Sequence, residues 1–357
     1  MKLIEDTIKK ITGLDYKLMG LTQDRLNNLT KPQGSLGRLE ELAKLIVGIT
    51  GKENPQLKNK VIFTLAADHG VTEEKISAYP QEVTAQMVYN FLQGGAGINV
   101  LAGHIGIRVV VVDVGVASEL SIKKPELRNF KNKKIAFGTK NFTKGPAMAR
   151  QEAIKSIETG IEVVEEEISN GIDIIGTGDM GIGNTTASSA ITAVFTKRLI
   201  EDITGRGTGI NDETLKNKIR VIKEALRINN PDPDDPMDVL SKVGGFEIGG
   251  LAGVILASAS KQIPVVIDGF ISGAAALIAY HLEPKVKDYM IASHCSAEKG
   301  HRLMLQHIGL EPILDLNLRL GEGTGAALGI NIIEAAIKIL TQMATFKSAG
   351  VSEKIEK

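Results

Sequence analysis

Short apolar, β-branched runs that end in small or polar residues punctuate this chain, and they constrain its fold more than any other feature. They fall at 61–65 (VIFTL), 107–112 (IRVVVV), 172–175 (IDII), 264–267 (PVVI) and 290–292 (MIA), with a weaker one at 312–316 (PILDL). Continuous apolar runs of this length suit strands buried on both faces. Helical patterns at 153–169, 187–197 and 213–227 lie between them. The combination predicts an α/β fold: a parallel sheet with helices on both faces. Ligands of such sheets bind beyond the carboxyl ends of the strands. Small and polar clusters occupy those ends: Ala66-Ala67-Asp68-His69-Gly70, Asp113-Val114-Gly115, Gly176-Thr177-Gly178-Asp179, Asp268-Gly269 and Ser293-His294-Cys295-Ser296.

The ends of the chain read differently. Residues 1–50 are helical throughout, with Leu36, Leu39, Leu42, Ala43 and Ile46 on one face, and 331–346 is helical too. A length of 357 residues suits a large domain and a smaller one. The expected division is a small helical domain from 1–50 with 331–357, and a large α/β domain over 51–330. Segment 229–236 (NNPDPDDP) reads as a loop whose aspartates cap helices and face water.

Acidic and basic residues balance at 42 each, which gives no reason to expect a nucleic acid or membrane partner. No stretch approaches the roughly 20 apolar residues of a membrane span, and the amino terminus lacks the apolar run of a signal peptide. Cys295 is the only cysteine, so no disulfide can form within the chain. A reducing, cytoplasmic setting fits. Cys295 reads as a buried thiol, and no cysteine–histidine spacing matches a zinc site. Neither a metal nor a cofactor is expected.

Two glycine-rich segments stand out. Gly176-Thr-Gly-Asp-Met-Gly-Ile-Gly-Asn-Thr-Thr186 follows a strand and precedes a helix. Unpaired N–H groups at a helix N-terminus suit a phosphate. Gly176, Gly178 and Gly181 also satisfy the dinucleotide pattern G-x-G-x-x-G, with Glu201 downstream. That leaves a nicotinamide-dependent oxidoreductase as the alternative reading, and a ligand-free tight turn as the plainest. Gly183 and Asn184 lengthen the loop beyond the usual dinucleotide turn. In the second segment, Arg319-Leu-Gly-Glu-Gly-Thr-Gly-Ala326, a single carboxylate, Glu322, sits among glycines that allow close approach. It reads either as a catalytic base or as an acid favoured by a helix macrodipole. Asp68 and His69 at a strand end are either site residues or structural. Lys31 to Arg38 is a turn that opens a helix, with Ser35 as its cap.

These stretches together resemble the nicotinate-nucleotide–dimethylbenzimidazole phosphoribosyltransferase family nearly end to end. The resemblance rests on KPQGSLGRLEELA (31–43), AADHGVTEEKISAYPQEVTAQM (66–87), GTGDMGIGNTT (176–186), GRGTG (205–209), PDPDDPMDVLSKVGGFEIGGLAG (231–253), IDGFISGAAAL (267–277) and RLGEGTGAAL (319–328). It implies a Rossmann-like parallel domain with a small helical domain, and a homodimer. It also implies transfer of the phosphoribosyl group of nicotinate mononucleotide to a heterocyclic base such as 5,6-dimethylbenzimidazole. The implied catalytic base is Glu322, with a second acid at Asp179, where many relatives in that family carry glutamate. Implied nucleotide contacts are Gly176, Gly178, Gly181, Asn184, Thr185, Lys218 and Ser296. Implied contacts to the incoming base are Ser77, Gln86, Met180 and Leu320.

Overall fold

The computed structural model describes residues 1–122 and 128–352. Three helices come first: α1 (Lys2–Ile8), α2 (Tyr16–Asn27) and α3 (Arg38–Thr50). Strand β1 (Lys60–Ala67) leads through α4 (Val83–Gln93) and α5 (Gly97–Ile105) to β2 (Arg108–Gly115) and β3 (Phe130–Asn132). Helix α6 (Arg150–Ile168) precedes β4 (Ile174–Met180). Next come α7 (Asn184–Thr196), α8 (Ile200–Ile203), α9 (Asp212–Asn229), α10 (Pro236–Val243) and α11 (Phe246–Ser260). Then follow β5 (Val265–Ile267), α12 (Phe270–Leu282), β6 (Met290–Ala292), α13 (Lys299–Ile308), α14 (Thr324–Gln342) and α15 (Phe346–Ala349).

The six strands among the described residues are all parallel, in the order β3-β2-β1-β4-β5-β6. This is the doubly wound order, in which the chain winds outward in both directions from β1 and β4. Alternation along β1 divides the core. Val61, Phe63, Leu65 and Ala67 face one hydrophobic cluster, and Ile62 and Ala66 face the other. Each fully buried Val, Ile or Phe contributes on the order of 1.5–3 kcal/mol, so a one-residue slip in register would forfeit both layers at once.

On one face, α6 and α11 approach very closely, because glycine leaves their backbones bare. A Cβ on Gly160 would lie 1.8 Å from the Gly250 carbonyl oxygen, and one on Gly253 would lie 2.0 Å from that of Ile157. On the other face, Leu26, Leu42, Ala43 and Ile46 of the amino-terminal helices share a cluster with Ala327, Ile330, Ile337 and Leu340 of α14. Helix α1 departs from the expectation that 1–50 packs with the carboxyl-terminal segment: its Ile4 belongs to the opposite cluster, against α6 and α11. Residues 353–357 of the expected terminal domain lie outside the described residues.

Several boundaries differ from the sequence reading. Gly176 to Asp179 lie inside β4, so the glycine loop shrinks to Gly181-Ile182-Gly183, and Asn184 opens α7. The weak run at 312–316 forms only an isolated bridge, Leu314 to His294. Strand β3 went unread, because three residues at a sheet edge carry no periodicity. Gly37, not Ser35, precedes α3, and Lys31 is buried in an ion pair with Glu40 at 2.8 Å. Asp235 caps α10 by accepting from the N–H groups of Met237 and Asp238. Helix α14 starts at Thr324, seven residues ahead of the expected start, since Thr-Gly-Ala-Ala-Leu-Gly reads as loop. At this length it has the span and apolarity of a membrane helix. Yet more than half of its most apolar stretch is buried in the fold, and its Glu334 pairs with Lys60 and Lys338.

Candidate active site

Parallel strands bring their carboxyl ends to one edge of the sheet, and that edge collects the polar clusters. Asp68, Asp179, Asp268 and His294 stand there, each 5% exposed or less. A cavity of about 330 Å³ opens over β4, beside β1, where the winding reverses. The size is in the range of a small-molecule site.

One wall is the β4–α7 turn. Gly183, at φ 99°, lets the chain enter α7 directly, and it supplies no side-chain cap. Gly181, Asn184 and Thr185 line the cavity, with Ser296 across from them. A Cβ on Gly181 would lie 2.3 Å from the Ala67 carbonyl oxygen. Glycine there holds the turn against β1. Lys218 of α9 lies behind this wall, 1% exposed, its Nζ donating to Thr185 Oγ1 at 2.7 Å. Burial pulls the Lys218 ammonium down to about 8, opposed by the nearby Glu298 carboxylate. An anion arriving at α7 would raise the proton affinity of this lysine again and meet a favourable helix terminus.

The other wall is the loop into α14. Glu322 has φ 65°, a left-handed backbone that costs a non-glycine residue of order 1–3 kcal/mol and persists only where the surroundings impose it. Its N–H donates to the Asp179 carbonyl at 3.2 Å. Its carbonyl accepts from Thr64 Oγ1 at 3.0 Å. The following N–H, of Gly323, donates to Asp268 Oδ2 at 3.2 Å. The Glu322 carboxylate accepts from the Ile98 N–H at 3.1 Å, and burial raises its proton affinity. Asp179 contributes through both chain and side chain. Its Oδ2 accepts from Asn184 Nδ2 at 3.1 Å. Burial first, then the charges of Asp268, Glu247 and Glu322, push its carboxyl well above the ordinary range.

Met180 and Leu320 also line the cavity, and Ser77 sits at its rim, 3.3 Å from Thr208 Oγ1. Glu322 itself lies just behind the lining formed by Arg319, Leu320 and Gly321, its carboxylate turned to the Ile98 N–H. Three expected contacts stand farther off. Gln86 is exposed on α4 and lines no part of the cavity. Gly176 and Gly178 are packing glycines under α14: a Cβ on Gly178 would lie 2.4 Å from the Glu322 carbonyl oxygen, and one on Gly176 would lie 2.7 Å from Ile62 Cγ1. Because both belong to β4, the G-x-G-x-x-G match does not form a dinucleotide turn. His69 is paired with Glu247 at 2.7 Å beneath the Gly181–Gly183 turn.

Sequence reasoning missed four contributors. Thr64 is the only hydroxyl in β1 and faces α14. Asp268 was read only as a strand end. Glu298 accepts from the Gly207 N–H at 2.9 Å, and Arg319 donates to the Gly207 carbonyl at 3.0 Å, so both fasten the 205–209 segment over the cavity. For Thr64 the available signal was a polar residue interrupting a fully apolar strand. For Asp268 it was a charge next to glycine at a predicted strand end, whereas Glu298 and Arg319 each stand two residues ahead of a glycine and carried little signal.

Comparison with known proteins gives a uniform result. A phosphoribosyltransferase family model matches residues 11–351. A nicotinate-nucleotide–dimethylbenzimidazole phosphoribosyltransferase from Desulforudis audaxviator is 57% identical over 353 residues, 99% of each chain. One of the same name from Geobacter sulfurreducens is 56% identical over 353 residues, again 99% of each. A crystal structure of CobT from Thermus thermophilus superposes with a TM-score of 0.90 at 42% identity, covering 95% of this chain and 100% of that one.

Proposed function

The chain belongs to the nicotinate-nucleotide–dimethylbenzimidazole phosphoribosyltransferase family, and from that premise we propose that it transfers the phosphoribosyl group of nicotinate mononucleotide to a base such as 5,6-dimethylbenzimidazole. The products are nicotinate and α-ribazole 5′-phosphate. The observation that carries the reading is the pairing of two unlike walls: an uncapped helix terminus backed by buried Lys218, and the Arg319–Gly321 loop backed by a buried carboxylate, Glu322, held in a left-handed backbone.

In nicotinate mononucleotide the pyridinium nitrogen is cationic, so the C1′–N bond breaks with its electron pair going to nitrogen and needs no proton donor. One imidazole nitrogen of the incoming base attacks C1′ from the opposite face, which inverts the anomeric centre. The second nitrogen then sheds its proton, and Glu322 accepts it. A carboxylate with proton affinity raised by burial is a better acceptor at neutral pH than an exposed one, provided it reaches hydrogen-bond distance. Asn184, Thr185, Gly181, Ser296 and Lys218 take the phosphate and ribose. Binding energy gathered there holds C1′ in place without touching it. Met180, Leu320 and Ser77 flank the incoming base, and Asp179 acts beside Glu322. The reaction balances with no metal or redox cofactor. We further propose a homodimer, a cytoplasmic setting, and a division into a helical unit from the two chain ends, α1 excepted, and a catalytic unit at 51–330 on which α1 packs.

The test is to incubate the protein with nicotinate mononucleotide and 5,6-dimethylbenzimidazole, then follow nicotinate release and the anomeric proton by NMR. Equimolar nicotinate and an α-riboside are expected. No nicotinate release, or a β-riboside, would overturn the reading. Light scattering checks the dimer through a mass of twice one chain.

A further inference from the structure

We infer that Asp268 is the positioning residue for Glu322: from outside the cavity, it locks the loop that aims the base. The inference rests on the reading of Glu322 as proton acceptor. Asp268 follows directly after β5, is 1% exposed and forms no part of the cavity lining. Both of its oxygens are spent on the first turn of α14. Oδ2 accepts from the Gly323 N–H at 3.2 Å, and Oδ1 from the Ala326 N–H at 3.0 Å. The N-cap of α14, Gly323, has no side chain to offer, so a strand on the far side of β4 supplies the cap that the helix lacks.

The same residue is fixed from behind through its backbone. The Asp268 N–H donates to Thr177 Oγ1 at 3.0 Å, and the Asp268 carbonyl accepts from Ser293 Oγ at 3.0 Å. Asp268 is therefore tied to β4 and to the end of β6, and it passes that rigidity to residue 323. Glu322 lies between this anchor and two others: the Asp179 carbonyl on its N–H and Thr64 Oγ1 on its carbonyl. A left-handed glutamate has an easier conformation nearby. The three anchors deny it that conformation and so fix the direction of its carboxylate.

Removing an anchor should therefore slow proton transfer without loosening the nucleotide. A misplacement of about 1 Å costs on the order of 100-fold in rate. Asp268→Asn should lower kcat by about 100-fold and leave the Kd for nicotinate mononucleotide within about twofold. Thr64→Val, which removes a different anchor, should lower kcat by about tenfold with the same selectivity. The decisive readout is the double variant: Asp268→Asn added to Glu322→Gln should cost nothing further, because it acts only through that carboxylate. Near-normal kcat in Asp268→Asn, or multiplicative losses in the double variant, would overturn the inference. So would nucleotide affinity falling together with kcat. If Asp268→Asn fails to fold by circular dichroism, Thr64→Val alone and combined with Glu322→Gln decides by the same criteria. Near-normal turnover in Glu322→Gln would instead overturn the general-base reading on which the inference stands.

Discussion

The two glycine turns that wall the cavity are near copies in backbone and opposites in chemistry. Gly183 caps α7 at φ 99°, and Gly323 caps α14 at φ 98°. The next residue bonds back the same way in both: the Asn184 N–H to the Gly181 carbonyl and the Thr324 N–H to the Gly321 carbonyl, each at 3.1 Å. What differs is the occupant of the helix terminus. Helix α14 already carries a buried carboxylate, Asp268, whereas the α7 terminus opens on the cavity with Lys218 behind it. A terminus neutralised from within has little left to attract a phosphate. A terminus left open does. On the proposed reading, one backbone device thus yields an anion cradle on one side and a rigid mount for a base on the other.

Opposite variants would sharpen that contrast most. Glu322→Gln should cut kcat by about 10²–10⁴-fold, the usual contribution of a general base, with nucleotide affinity almost unchanged. Lys218→Ala should do the reverse, weakening nicotinate mononucleotide by about 10–100-fold, in line with the loss of a charged hydrogen bond, while the affinity for the incoming base holds. Steady-state kinetics with calorimetry separates the two. If both variants moved kcat and Kd together, the walls would not be specialised.

The glycine caps themselves offer a smaller effect. Alanine is strained by roughly 1–3 kcal/mol at either position, because its φ is left-handed. Gly323→Ala should melt lower than Gly183→Ala. Its Cβ would lie 2.7 Å from Ile62 Cγ2, whereas the nearest atoms to a Cβ on Gly183 are at 3.1 Å. Gly323→Ala should also lower kcat, and Gly183→Ala should raise the nucleotide Kd. Identical kinetic signatures would break the comparison.

The smallest effect concerns stability against pH. The folded protein holds the Asp179 carboxyl protonated to higher pH than the unfolded chain does. The folded state therefore binds more protons across that interval, and stability falls as pH rises through it. The cost is complete only above the folded value. Asp179→Asn removes it, so the variant should melt a few degrees higher at about pH 8 and lose that advantage toward about pH 4. An equal gain at both pH values would mean that the carboxyl is not strained by burial.

Much of this arrangement was readable in advance because it depends on local pattern. Apolar runs located five of six strands, and the polar residues after them located the edge of the sheet that carries the cavity. The glycine segments marked both walls. What escaped is what depends on register between distant strands. Nothing near Gly176 or Gly178 says that α14 will lie on them, so they read as ligand-facing glycines when they are seats for a helix. Asp268 is 54 residues from Glu322 (322 − 268), and only the parallel packing of β4 and β5 brings its oxygens to α14. The expected start of α14 failed for a local reason: its first turn is glycine and alanine, held by a cap from another strand.

Residue 179 joins the two walls in a way that bears on how such an enzyme changes its preferences over generations. Its carbonyl fixes Glu322 and its side chain meets Asn184. Every amino acid supplies the carbonyl, but only some supply the carboxylate. On the proposed reading, substitutions at this position can therefore alter the chemistry presented to an incoming base and leave the anchoring of Glu322 intact. The position thus separates a backbone contact from a side-chain contact within a single residue.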